Sequence, residues 1–275
     1  MTSAMIHPMA VVEPGAQLGN GVRIGPFCHV GADVVLGDGV ELVSHVSISG
    51  ATTIGDGCTI HPHAALGQPP QNKAHKGGRT TLIVGRNCTI RESVTFHLGS
   101  DNSRGETRIG DNGNFLAYSH IAHDCIVGNN VTMANNATLG GHCEIGDNVF
   151  FGGLSAAHQF TRVGHHAFIG GLTAVVGDVI PYGIVVGSRG SLRGLNIVGM
   201  KRSGVARSDI HALRNAFRQI FDPGKLVAEN LDEVRAEFAG SPVVEDVIGF
   251  LTDRGKRHFT VPSHRNAADA DDAAD

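Results

Sequence analysis

Residues 12–42 read VEPGAQLGNGVRIGPFCHVGADVVLGDGVEL. Every sixth position is aliphatic: Val12, Leu18, Ile24, Val30, Leu36 and Leu42. The phase reaches back to Ile6 and forward through Ile48, Ile54, Ile60 and Leu66, then resumes after a gap at Val84, Ile90 and Phe96. After a second gap it shifts by one and runs from Ile109 through Phe115, Ile121, Val127, Met133, Leu139, Ile145, Phe151, Ala157, Val163 and Ile169 to Val175. Glycine often follows the aliphatic residue, as at Gly19, Gly25, Gly31, Gly37, Gly128 and Gly146. A fixed short period marks a repeat architecture, and a period of six marks a β-helix. Each repeat supplies a flat strand with its aliphatic residue inward. It then makes a sharp corner, where glycine or a small polar residue tolerates unusual dihedrals. Three sides close a triangular coil, so one turn takes about eighteen residues.

The composition agrees. Glycine is 38 of 275 residues, well above the usual ~7%. Aromatics are 5% and Trp is absent, so the core has to be built from many thin layers of Val, Ile and Leu. The net charge of -4 argues against a general nucleic-acid binder. No apolar run approaches the ~20 residues of a membrane span. The opening Met-Thr-Ser-Ala-Met-Ile-His-Pro lacks the basic start and apolar stretch of a signal peptide. The expectation is a cytoplasmic protein with no membrane span. The five cysteines, Cys28, Cys58, Cys88, Cys125 and Cys143, each lie four after a repeat aliphatic. That is the small inward position at a corner, so they are read as packed small hydrophobes rather than a disulfide framework.

The organisation follows from where the period fails. Residues 1–190 form the β-helix, with loops at about 68–83 and 98–108 leaving the coil. From 191 to 265 the spacing is helical. Ser208 is a candidate cap for a helix with Ile210, Leu213, Phe217 and Ile220 on one face. Asn230 is a candidate cap for a second with Val234 and Phe238, and Ser241-Pro242 opens a third with Val244, Val247, Ile248 and Leu251. Residues 266–275, mostly Ala and Asp, read as a disordered tail.

Among 16 histidines, one group stands apart. By the eighteen-residue turn, His123 stacks under Gly141 and then Gln159, and Asp124 under His142, while His158 lies beside Gln159. His120, His123, His142 and His158 therefore gather on neighbouring turns. An imidazole can take a proton from a hydroxyl near neutral pH, and the Gly141 N–H one turn above can hold a developing oxyanion. The competing reading is a zinc site like that of γ-carbonic-anhydrase-type hydratases. Their spacing includes His-x4-His, and no two histidines here are five apart, so no metal is expected. No Walker loop or Rossmann fingerprint is present, so no cofactor is expected either.

The stretches Ile90-Arg-Glu-Ser-Val-Thr95, His120-Ile-Ala-His-Asp-Cys125, Ala134-Asn-Asn-Ala-Thr-Leu139, His158-Gln-Phe160 and Asn196-Ile-Val-Gly-Met-Lys-Arg202 carry a closer resemblance. Over roughly residues 5–260 the chain resembles the UDP-N-acetylglucosamine O-acyltransferases, the hexapeptide-repeat enzymes of lipid A biosynthesis. The resemblance implies a left-handed coil and a homotrimer with sites between subunits. It implies transfer of an (R)-3-hydroxyacyl chain from acyl carrier protein to the 3-hydroxyl of a UDP-sugar. His123 matches the general base, Asp124 the carboxylate that orients it, and Gly141 the oxyanion donor. Gln71, Asn72, His120, His142, His158, Gln159, Asn196 and Arg202 match substrate-contacting positions. Gly171 and Arg189, in a column above Gly153, match an acyl-chain ruler. Arg207, Arg214 and Arg218 are candidate contacts for the acidic carrier protein.

Some residues depart from the family pattern. Asn72 stands where an aspartate is usual near the sugar 3-position, which opens the alternative of N-acylating a 3-amino sugar. Arg189 replaces a frequent histidine, and Val198 and Ser203 replace a usual glutamate and a second arginine.

Overall fold

The computed structural model describes residues 3–253 and 255–263. From Met5 to Val175 the chain makes strands of two to four residues at the expected spacing. Each pairs in parallel with the strand one turn on: Ile6 with Ile24, Ile24 with Leu42. Three sheets of eleven, nine and eight strands result, in which every third strand is a neighbour. We number the faces one, two and three in chain order. The coil is a left-handed parallel β-helix. The inward residues of the repeat from Ile24 onward are buried, and all five cysteines are buried and unpaired. Phe96 and Phe115, the largest inward side chains of their layers, meet edge to face at 5.0 Å between centroids.

The two gaps in the period are insertions at corners, not breaks in the coil. Ile60 pairs with Ile90 and Ile90 with Phe115, offsets of 30 and 25 in place of 18. The additional residues form loops 69–80 and 98–105, both of which leave the coil after face-two strands. Each later corner is turned by one residue in the left-handed region. From Asn112 through Tyr118, Asp124, Asn130, Asn136, His142, Asn148, Leu154, Phe160 and His166 to Leu172, φ lies between 56° and 65° at every sixth residue. This conformation costs a non-glycine residue about 1–2 kcal/mol, which the next buried aliphatic residue offsets.

The last turn breaks the arithmetic. Phe168 pairs with Ile184 and Ile169 with Val185, so the turn holds sixteen residues rather than eighteen. Gly153 and Gly171 stack as expected, with a Cβ built on Gly171 reaching 3.3 Å from the Gly153 carbonyl. Arg189 does not complete that column. The Gly190 N–H donates to the Ala174 carbonyl, so Arg189 is out of step with Gly171. Strand Ser191–Leu195 then folds back antiparallel on Gly183–Val186, so helix begins after it rather than at 191.

Four helices follow: α1 (Ile197–Arg202), α2 (Arg207–Ile220), α3 (Val227–Glu237) and α4 (Pro242–Thr252). The expected apolar faces are buried at Ile210, Leu213, Ile220, Val234, Val244, Val247, Ile248 and Leu251. Ser208 and Asn230 are not caps. Ala206 precedes α2, and Asn230 lies inside α3, where its buried amide donates to the Ile220 carbonyl at 3.3 Å. Helix α1 has Asn196 as its N-cap and interrupts the stretch read as nucleotide-binding. Beyond α4, residues 256–261 return to the coil as a strap. Asp178 N–H donates to the His258 carbonyl at 2.7 Å and Thr260 N–H to the Asp178 carbonyl at 2.8 Å. The buried Asp178 carboxylate also binds Arg162 at 2.8 Å. The segment read as a tail, 266–275, lies outside the described residues.

Thin layers make each inward residue count. Ile60→Ala is expected to destabilise by about 2–5 kcal/mol, as a buried large-to-small change does. Asn87→Gly is expected to be neutral or better, because Asn87 sits at φ 56°. Urea unfolding midpoints of the two variants check both.

Candidate active site

Asp124 is one of the left-handed corner residues, at φ 60° between face two and face three. The conformation turns its carboxylate, fully buried, back toward loop 98–105. There it accepts the Ser100 N–H at 3.1 Å and the Gly105 N–H at 3.0 Å. Its own N–H donates to Thr107 Oγ1 at 2.9 Å. Its other oxygen meets His123 Nδ1 at 2.7 Å. A buried carboxylate in this position only accepts, so Nδ1 carries the proton and Nε2 keeps its lone pair.

Gly141 lies directly over that ring. A Cβ built on it would come within 2.8 Å of His123 Nε2 and 2.7 Å of Cε1, so any side chain would press on the imidazole. Its N–H meets no protein acceptor among the described residues. The eighteen-residue register thus sets a free backbone donor above an oriented base. His142, stacked above Asp124, meets the His123 ring edge-on at 5.0 Å and lies flat on Phe160 at 4.3 Å. Burial holds His142 below the ordinary imidazole range, with Asp124 opposing. His120 Nδ1 bonds Thr95 Oγ1 at 2.7 Å, and burial lowers its pKa too.

The loops act as a clamp on this corner. Arg104 donates to the Asp124 carbonyl at 2.9 Å and to Glu144 at 2.7 Å, and Ser103 bonds His142 at 3.2 Å. Loop 69–80 grips loop 98–105 in turn. Asn72 Nδ2 donates to Ser100 Oγ at 2.8 Å and to Asn102 Oδ1 at 3.2 Å, while its Oδ1 accepts the Ala74 N–H. A carboxylate there would offer no such donor, so the amide at 72 has a structural task here. Gln71 is exposed. His158 and Gln159 stand one turn above Gly140 and Gly141, and the strap reaches them through Arg257.

Three groups of expected residues lie elsewhere on the chain. Asn196 Oδ1 caps the Gly199 N–H at 2.9 Å, and its Nδ2 donates to the His166 carbonyl at 2.9 Å. His166 turns the corner between faces three and one, a different corner from that of Asp124. Arg202 is exposed at the end of α1, and Ser203 returns its hydroxyl to the Gly199 carbonyl at 3.0 Å. Gly153 and Gly171 lie on the third corner, between faces one and two. Arg207 and Arg214, with Lys201 and His211, line a groove of about 750 Å³ between α1 and α2. Arg218 is exposed further along α2.

Lys256, Arg257 and His97 were missed by the sequence reading. His97 is buried, its Nδ1 has no partner among the described residues, and its ring meets His120 edge-on at 4.9 Å. Burial and the neighbouring imidazoles of His120 and His123 push its pKa down to about 4. Counting the seven extra residues of loop 98–105 as an insertion places it one turn below Ala122 and would have found it. His123, Asp124 and His142 also bring three ligand atoms within 4.8 Å of one another. The Asp124 oxygens are already taken by His123 and two backbone donors, so an ion there would have to displace the bond that orients the imidazole.

Comparison with known proteins gives the family. A family model described as UDP N-acetylglucosamine O-acyltransferase, domain 2, matches residues 178–260, and one for bacterial transferase hexapeptide repeats matches 15–50 and 106–141. A relative from Mesorhizobium japonicum, named acyl-[acyl-carrier-protein]–UDP-N-acetylglucosamine O-acyltransferase, is 66% identical over 98% of this chain and 96% of its own. The chain belongs to the UDP-N-acetylglucosamine O-acyltransferases. A relative of the same name from Brucella ovis is 55% identical over 95% of this chain and 94% of its own. The solved UDP-N-acetylglucosamine acyltransferase of Campylobacter jejuni is 39% identical, covers 93% of this chain and 99% of its own, and superposes with a TM-score of 0.87. That of Francisella novicida is 32% identical over 94% and 95%, with a TM-score of 0.90. Among the described residues no helix of this acyltransferase is long and apolar enough to cross a membrane.

His97 gives the site a pH signature. The unfolded chain takes a proton on this residue near pH 6.5, whereas the folded protein refuses it until about 4. Its contribution to stability is therefore complete above pH 6.5 and is lost as the pH falls from there toward 4. The urea midpoint is expected to drop across that window, and to drop less in His97→Gln.

Proposed function

We propose that this chain transfers an (R)-3-hydroxyacyl group from acyl carrier protein to the 3-hydroxyl of UDP-N-acetylglucosamine, the first step of lipid A biosynthesis, with His123 as general base. The observation that carries the reading is the free Nε2 of His123 beneath the unpartnered N–H of Gly141. Nε2 takes the proton of the sugar hydroxyl as its oxygen attacks the thioester carbonyl. The tetrahedral oxyanion accepts the Gly141 N–H. Collapse breaks the carbon–sulfur bond, and the departing thiolate receives the proton from Nε2. Asp124 stabilises the imidazolium between the two transfers.

The reading places this chemistry in a cytoplasmic homotrimer. Asn196 and Arg202 stand at or beyond a different corner from His123, so a cleft that used all of them would take the nucleotide contacts from a neighbouring copy. The arginine at 202 suits a diphosphate. Face two runs from the His123 corner to the Gly171 corner past His120, Thr138 and Ala156, a path along which an acyl chain would lie. The cationic groove bearing Arg207 and Arg214 suits an acidic carrier protein. A second acceptor is favoured by one residue: Asn72 leaves the acceptor side without the usual carboxylate, which fits a 3-amino sugar acylated on nitrogen.

His123→Ala is expected to lower kcat by ~10²–10⁴-fold. Purified protein should be offered (R)-3-hydroxyacyl carrier protein with UDP-N-acetylglucosamine and its 3-amino analogue in equal amounts. Ester product, absent in His123→Ala, supports the reading. Predominant amide keeps the base and changes the acceptor. No product with either sugar overturns it. With the preferred acceptor, Gly171→Met is expected to shift preference toward shorter acyl donors, and an unchanged chain-length profile removes Gly171 from the ruler.

A further inference from the structure

The strap after α4 touches the catalytic corner at two places. Lys256 Nζ lies 4.4 Å over the ring of Phe160, which is stacked on His142. Arg257 lies beside it. Its Nε donates to the Gln159 carbonyl at 3.0 Å, and its terminal nitrogen meets His158 Nδ1. The strap holds these residues firmly. Its backbone is bonded to Asp178 on both sides, and the Thr260 hydroxyl donates to the Gly177 carbonyl at 3.0 Å. Phe259 packs against Phe250 of α4.

The chemistry of the pair fixes a proton. A guanidinium has donors and no acceptor, and it does not deprotonate in proteins. The nitrogen of His158 that faces it must therefore present a lone pair. That nitrogen also lies 3.2 Å from the Gln159 carbonyl, a longer contact than the one it makes with the donor-only guanidinium. Nδ1 is thus the acceptor and the ring proton sits on Nε2. His123 is held the opposite way, with Nδ1–H on Asp124 and Nε2 bare.

We propose that Arg257 is a positioning residue for His158, which it holds in the neutral Nε2–H form so that His158 enters the cleft as a hydrogen-bond donor and not as a second base. The inference rests on the acyltransferase reading above, in which His158 is a substrate-contacting position. Among the described residues the charged group that bonds the His158 ring is Arg257; Lys256 stands next to it in the chain, over Phe160, and the Cys143 thiol donates to the His158 carbonyl at 3.3 Å. No carboxylate bonds its ring among the described residues, so nothing on the coil replaces Arg257 in fixing the proton.

The test uses the full-length protein with Arg257→Gln, Arg257→Lys, His158→Gln and the double variant Arg257→Gln/His158→Gln. Their urea midpoints are compared first, so that only folded variants are scored. With wild type active, Arg257→Gln is expected to lower kcat/KM about tenfold, the scale of one positioned hydrogen bond. Its pH profile should gain an acidic limb near pH 6.5, where a released histidine titrates. Arg257→Lys should restore part of the activity and remove the added limb, and Arg257→Gln should cost nothing further in the His158→Gln background. An unchanged rate and pH profile in folded Arg257→Gln overturns the inference. So does an undiminished loss in the His158→Gln background, which would put the action of Arg257 elsewhere. An inactive wild type instead overturns the acyltransferase reading, which keeps the two failures distinct.

Discussion

Most corners of the coil place one residue in the left-handed region, and the strand positions on either side are locked to it by the backbone bonds between turns. Most of these corners are turned by residues with little else to do, such as Asn112, Asn130, Asn136 and Asn148. At Asp124 the same constraint is put to chemical use. The strained backbone swings a carboxylate inward, where two loop amides fix one side and His123 Nδ1 the other. The stacking that closes the coil also sets Gly141 above the ring. The His123 imidazole, the carboxylate bonded to it and the free N–H are therefore products of the same geometry that buries the aliphatic core.

That economy explains what was legible in the sequence. Where the turn holds eighteen residues, simple addition places side chains in space, and it brought Asp124 under His142 and His123 under Gly141 without any structure. It failed where the turn length changes. His97 precedes a loop that adds seven residues, and Arg189 follows a turn two residues shorter, so addition misplaced one and overlooked the other. It also could not reach contacts made by chain that returns from far away. Lys256 and Arg257 meet the catalytic corner about one hundred residues after it, through a strap whose anchoring to Asp178 has no periodic signature. Asn72 was visible as an unusual residue, but its bonds to Ser100 and Asn102 belong to two loops whose shapes no repeat dictates.

On the proposed reading the three corners divide the labour. The corner between faces two and three carries the base, that between three and one carries Asn196 on His166, and that between one and two carries Gly153 and Gly171. A triangular prism cannot bring its own corners together, so a cleft that uses them all has to be built between copies. On the proposed reading, opposite tautomers at His123 and His158 separate accepting a proton from donating a hydrogen bond, with Asp124 on one side and Arg257 on the other.

The most direct test of this account is kcat for Asp124→Asn. The amide oxygen can still accept from Ser100 and Gly105, which leaves the NH₂ facing His123 Nδ1. The imidazole must then accept there and place its proton on Nε2, where the lone pair is needed. The account predicts a loss of ~10²–10⁴-fold in kcat, with KM and folding little changed. Activity within a few fold of wild type would contradict it, because His123 would then work without the carboxylate that orients it.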